Sequence, residues 1–91
     1  MMILNDTPIK LYFSVNAVCA LERECGCPLH EIMRTDVSCV RDLIWCGLME
    51  TEKITRKEAG DLLQSHLKGG GSLQEVAECL ADELLRAGFF T

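Results

Sequence analysis

From Val37 to Met49 the chain carries only two charged side chains, Arg41 and Asp42. On a helical wheel Val40, Leu43, Ile44 and Gly47 face one way, Leu48 and Trp45 another, and Cys39 and Cys46 a third. A helix that is apolar nearly all round cannot lie on a surface; it belongs at the centre, covered on several sides. The 91-residue chain is one domain, because chains this short do not divide. The rest of it must therefore wrap around this helix, which Asp36 or Ser38 opens and which ends near Met49.

The wrapping elements announce themselves by their caps. Ser14 or Asn16 caps a helix over 15–25, with Val15, Val18, Leu21 and Cys25 on one face and Gly26 as its stop. Pro28 suits the first turn of a short helix over 29–33. Thr55-Arg56-Lys57-Glu58 and Ser72-Leu73-Gln74-Glu75 are both capping boxes, which start helices over 56–67 and 73–87. The first of these puts Ala59, Leu62, Leu63 and His66 on one face. The second carries Leu73, Val76, Ala77, Leu80, Leu84 and Ala87 in one stripe, with Glu75, Glu78 and Asp82 opposite and Gly88 as its stop. Gly69-Gly70-Gly71 reads as a flexible break between the two.

Ahead of the helices, Ile9, Leu11 and Phe13 alternate with Lys10, Tyr12 and Ser14, the period of a half-buried strand. Asn5-Asp6-Thr7-Pro8 is turn chemistry, so Ile3-Leu4 supplies the other arm of a hairpin. A lone hairpin is marginal in water and must lean on the helices. The expected fold is mainly α: four to five short helices packed around a central one, with a small N-terminal β-hairpin or strand. Residues 1–14 form the hairpin region and 15–88 the helical body of a single domain, 1–91.

Charge and composition narrow the function. The formal net charge is −5, against the basic footprint that nucleic acid or an anionic membrane surface demands. No apolar run approaches the roughly 18 residues a membrane span needs. Met1 to Asp6 lacks the basic segment and long apolar run of a signal peptide. The expected compartment is thus the reducing cytoplasm, and the six cysteines are expected as free thiols.

Candidate chemistry is sparse. Cys25, Cys27 and His30 form a C-x-C-x2-H cluster that offers three zinc ligands, with Cys19 or Cys79 as a fourth, but structural zinc prefers paired knuckles and no second pair exists. Cys19, Cys39, Cys46 and Cys79 sit at helical positions, where free cysteine behaves as a small buried hydrophobe. Core filling is the preferred reading, with no metal and no cofactor. His66 sits between Leu62, Leu63 and Leu67 as a structural histidine. Glu22 lies inside the apolar side of its helix: either it snorkels at the rim or it pairs with Arg41, the Trp45 indole N–H or a helix N-terminus. The expectation is a protein without catalytic residues.

Several runs resemble a known family. Leu11-Tyr12-Phe13-Ser14-Val15-Asn16-Ala17-Val18-Cys19-Ala20-Leu21-Glu22 is similar to the strand-to-helix opening of small tail assembly chaperones of long-tailed bacteriophages and gene transfer agents. Val40-Arg41-Asp42-Leu43-Ile44-Trp45-Cys46-Gly47-Leu48 resembles their LRxLLWAGL central helix. Thr55, Glu58, Ala59, Gly60, Leu62 and Leu63 follow their T-x-E-x-x-G-x-L segment, with the acid one place later here. The resemblance spans Ile9 to Ala87; the Cys25-Gly26-Cys27 turn and the Gly69–Gly71 loop depart from it. It implies a phage or prophage protein that binds the tape measure protein and delivers tail tube subunits during assembly, with no family site residue to carry over. A small regulatory adaptor that dimerises through its last helix, and a zinc module, are the alternatives. For a partner site the chain offers Leu84 and Leu85 beside Phe89 and Phe90, two large side chains after a helix stop. They form either an exposed sticky patch for a partner's apolar helix or a tail folded back onto the core.

Overall fold

The computed structural model describes residues 2–4, 6–32 and 36–89. Within them lie β1 (Met2–Leu4), β2 (Thr7–Ile9), α1 (Val15–Cys25), α2 (Leu29–Ile32), α3 (Val37–Leu48), α4 (Arg56–Lys68) and α5 (Leu73–Arg86). The fold is mainly helical with a two-stranded antiparallel N-terminal sheet.

The apolar helix α3 takes the centre and packs against α1, α4 and α5. Val40 and Ile44 are fully buried, with Leu43 and Leu48 close behind. Each such side chain contributes roughly 1.5–3 kcal/mol by leaving water. Gly47 permits a close approach, but not by a helix. A Cβ there would lie 2.6 Å from Leu11 Cδ2 and 3.1 Å from Phe13 Cζ. The neighbour is the chain just before α1, and the Tyr12 N–H donates to the Gly47 carbonyl at 2.8 Å.

This corrects the expected strand over 9–13. The sheet pairs Met2 with Ile9, Ile3 with Pro8 and Leu4 with Thr7, so Thr7 and Pro8 belong to a strand and not to the turn. Asp6 at φ 62° takes the left-handed conformation of the tight hairpin. Leu4 and Thr7 flank the turn as the bonded pair, which leaves Pro8 at a non-bonded position where its missing N–H costs nothing. Beyond Ile9 the alternation persists, with Leu11 and Phe13 buried and Tyr12 exposed. That run rests on α3 instead of a second strand.

Ser14 is the cap of α1, its hydroxyl accepting the Ala17 N–H at 3.0 Å, and its Oγ also donates to Glu50. The buried stripe of α1 is Ala17, Val18 and Leu21. Val15, expected on that face, is 68% exposed; at about 100° per residue it points well away from the stripe's centre. The capping box of α4 is complete, with Thr55 and Glu58 each accepting the other's main-chain N–H. At α5 the Ser72 hydroxyl accepts the Glu75 N–H.

The last helix ends in a Schellman turn. Gly88, at φ 93°, donates to the Leu85 carbonyl, and the Phe89 N–H reaches back to Leu84 at 3.2 Å. The glycine loop after α4 repeats this geometry. Gly70 donates to Leu67 and Gly71 to His66, so the expected flexible break is an ordered helix stop. Among the described residues no helix is long and apolar enough to cross a membrane.

Candidate functional site

One charged side chain lies in the core of the described residues: Asp42, 5% exposed. A carboxylate there must be paired, because burial of a lone charge is costly. Asp42 Oδ1 accepts from Arg41 Nε at 3.0 Å and from Arg56 Nε at 3.2 Å, and Oδ2 accepts from Arg56 Nη2 at 3.0 Å. Arg56 Nη1 also reaches Glu24 on α1 at 3.5 Å, and its guanidinium lies over the Trp45 ring. Arg56 thus ties α4 to both α1 and α3. Arg41 runs its stem across Gly60 of α4, where a Cβ would come within 3.3 Å of Arg41 Cδ.

Cys25 joins the cluster by directing its thiol at Asp42 Oδ2, 3.6 Å away. Burial, and then the Asp42 charge, push its pKa up to about 11. Cys46 in the core is pushed up to about 12, chiefly by burial. Such thiols are protonated and poor nucleophiles near neutrality. The Asp42 carboxylate is likewise held by its donors on both oxygens. The cluster is a clamp.

A shallow cleft beside the clamp is lined by Cys25, Cys27 and Cys39 among others, but not by His30. His30 is exposed. Among the described residues no three His, Cys, Asp or Glu side chains are placed to hold a metal ion, so Cys25, Cys27 and His30 are not gathered into a ligand set. All six cysteines are free thiols. Glu22 finds the helix-terminus partner: its Oε2 accepts the Leu29 N–H at 2.7 Å, at the start of α2. His66 is half-buried, its ring so close to Gly71 that a Cβ there would lie 2.2 Å from Nε2.

Of the four residues expected to grip a partner, the three that are described, Leu84, Leu85 and Phe89, do not share one exposed patch. Leu84 is fully buried, so it belongs to the core and is withdrawn as a surface contact. Phe89 is half-buried and packs on the core, held there by the Schellman turn. Leu85 is 50% exposed. Phe90 lies outside the described residues. The apolar stripe of α5, through Val76, Leu80 and Leu84, is buried.

Among the described residues the exposed aromatic is elsewhere, and the alternation of Leu11, Tyr12 and Phe13 was the signal for it. Tyr12 is 53% exposed. It stands between two open depressions. One, of about 480 Å³, runs past Pro8, Lys10, Thr51 and Glu52. The other, of about 350 Å³, lies between Leu11 to Phe13 and the end of α5 at Glu83, Arg86 and Ala87. No family model, curated protein or solved structure matches this chain.

Proposed function

We propose that this chain is a tail assembly chaperone of a long-tailed bacteriophage or prophage. In this reading it is a non-enzymatic protein that binds the tape measure protein and promotes assembly of tail tube subunits in the bacterial cytoplasm.

One observation carries the reading. The residues that resemble the chaperone family are used together as a single mechanical unit. Leu43, Ile44, Gly47 and Leu48 fill the buried centre. Thr55 and Glu58 close the capping box of α4, and Gly60 gives way to the Arg41 stem. A resemblance in core and cap positions, without a catalytic signature, is a likeness of scaffold. On such a scaffold the work falls to the surface, where Tyr12 and its flanking depressions are suited to another polypeptide. Asp42 and Cys25, the groups with altered surroundings, are engaged with each other.

The test is co-expression with the tape measure protein of the same gene cluster. Stable co-purification, together with short or absent tails after deletion of the gene, is the expected result. Normal tail length and infectivity after deletion would end the assignment.

A further inference from the structure

We propose that Cys25 and Cys27 close a reversible disulfide across Gly26, and that this bond is a redox switch on the Asp42 clamp. The oxidant is a small-molecule disulfide of the glutathione class. Cys25-Gly26-Cys27 is a run that the chaperone resemblance leaves out, and the switch does not depend on the tail reading.

The main chain sets the spacing. Cys25 is the last residue of α1, and Gly26 takes the left-handed conformation at φ 69° and ψ 20°, its N–H donating to the Glu22 carbonyl. Glycine adopts that conformation freely. It curls the chain as tightly as a helix does, so the Cα atoms of Cys25 and Cys27 stand about 5.5 Å apart, inside the roughly 4.4–6.8 Å that a disulfide spans. The side chains turn the same way. Cys25 and Cys27 line one cleft together with Asp42 and Arg56. Both are free thiols, and neither is fully buried. They are close enough that ionised Cys27 opposes the ionisation of Cys25.

The exchange runs in two steps. The Cys27 thiolate attacks the small disulfide, so that one glutathione leaves as a thiolate and the other stays on Cys27 as a mixed disulfide. Cys25 then gives up its proton, attacks the Cys27 sulfur and expels the second glutathione thiolate. Two protein thiols lose two electrons, one small-molecule disulfide becomes two thiols, and the two protons end on the departing glutathiones. The closed loop is short and gains little from chain entropy. Such a bond forms under oxidising conditions and returns readily to the dithiol. The link to the clamp is one hydrogen atom. Reduced Cys25 donates its S–H to Asp42 Oδ2 at 3.6 Å, the oxygen that also accepts from Arg56 Nη2 at 3.0 Å. A disulfide sulfur has no hydrogen to give. Oxidation therefore takes a donor from the buried carboxylate and throws the load onto Arg56, whose guanidinium lies over the Trp45 ring. The Cys25 pKa, pushed up to about 11 by burial and by Asp42, keeps the dithiol as the resting form.

The experiment equilibrates the full chain in buffers graded from reduced to oxidised glutathione, blocks remaining thiols by alkylation and digests with trypsin. Cleavage after Arg23 and Arg34 isolates Cys25 and Cys27 in one peptide, apart from the other four cysteines. In the oxidising buffers that peptide should lose two hydrogens and carry no glutathione, and a dithiol reductant should restore both thiols. The fluorescence of Trp45, the single tryptophan, should change in step with the oxidation. Cys27→Ser, a change in a turn, should abolish both effects while leaving the fold intact, and Cys25→Ser should leave glutathione held on Cys27. Retention of both thiols in the most oxidising buffer would overturn the switch. Glutathione stranded on Cys27 of the unaltered chain, or pairing of Cys25 with Cys39, would do the same. So would a Cys25–Cys27 bond that leaves Trp45 emission unchanged, since the clamp would then not respond to it.

Discussion

Arg56, the first residue of α4, places Nε and Nη2 on the two carboxylate oxygens of Asp42 at 3.2 and 3.0 Å. Its guanidinium carbon also lies 5.8 Å from the centre of the Trp45 ring. Asp42 is the charge that α3 buries, and Arg56 is the residue that a neighbouring helix sends to meet it. The Asp42 carboxyl oxygens and the Arg56 fork match as a planar pair, which is why lysine would not serve here.

Arg56→Met keeps an apolar stem against Trp45 and removes the fork. Arg41 remains on Oδ1, so the carboxylate is left half-paired and not bare. The full cost of breaking a buried pair, about 3–5 kcal/mol, is discounted because the Arg56 side chain is over a third exposed. The expected loss is about 2 kcal/mol by urea denaturation, or roughly 8–16 °C in a domain of this size. A loss below about half a kilocalorie, the scale of an ordinary surface change, would mean the clamp is decorative.

Gly47→Ala sets two effects against each other. Alanine gains up to about 1 kcal/mol of helix propensity over glycine. The new methyl would sit 2.6 Å from Leu11 Cδ2 and 3.3 Å from Leu11 Cβ, and overpacking of that kind costs about 1–3 kcal/mol. Leu11 is itself buried, so it cannot simply swing aside. The net result is a loss of about 1 kcal/mol, with faster exchange of the Tyr12 amide as its bond to Gly47 loosens. A more stable variant with an unchanged Tyr12 amide would show that Leu11 has room to move.

The placement of α3 was legible because a helix with no polar face has only one place to go. The caps of α1 and α4 were legible for a similar reason, since Ser14 and the Thr55–Glu58 pair act on their immediate neighbours. What the sequence left hidden were facts about distant partners. Asp42 read as a mere interruption of an apolar wheel, because nothing local says that Arg56, fourteen positions on, closes over it. Likewise the period of two at Ile9 to Phe13 marked extended chain correctly but could not say that α3, and not a strand, lies alongside. Leu84 and Leu85 are neighbours in sequence but point 100° apart, so only one of them reaches the surface.

The thiols give the protein an alkaline limit. Burial raises the Cys46 pKa from the ordinary 9.0 to about 12. Below about pH 9 the thiol is protonated in both folded and unfolded chains, and its contribution is constant. Above that the unfolded thiol ionises while the folded one holds its proton, so stability falls as pH climbs from 9 toward 12. Each such thiol adds at most about 1.4 kcal/mol per pH unit to the slope. Cys25, raised to about 11, acts in the same direction. Cys46→Ala should flatten the decline between pH 9 and 11, measured by urea midpoints at each pH. An unchanged slope would place the loss on other groups. Below pH 9, titration of the unfolded protein should count six thiols, and the folded protein should withhold Cys46 from the reagent.

Leu85 and Phe89 offer the sharpest separation between surface and scaffold at the end of α5. Phe89 follows Gly88 in the Schellman turn, and its N–H is tied to Leu84, so its ring is drawn toward the core that Leu84 completes. Phe89→Ser therefore gives up half-buried apolar area and loosens the turn, at an expected cost of about 1–2 kcal/mol. Leu85 is half exposed and points off the buried stripe, so Leu85→Ser should cost less than about half a kilocalorie. In a capture assay with the tape measure protein, the partner proposed above, a defect in Phe89→Ser is interpretable only after correction for the unfolded fraction. A defect in Leu85→Ser, with an unchanged melting temperature, marks a surface contact directly. Should Leu85→Ser unfold the domain as readily as Phe89→Ser, the end of α5 is more deeply packed than this arrangement allows, and neither residue is available to a partner.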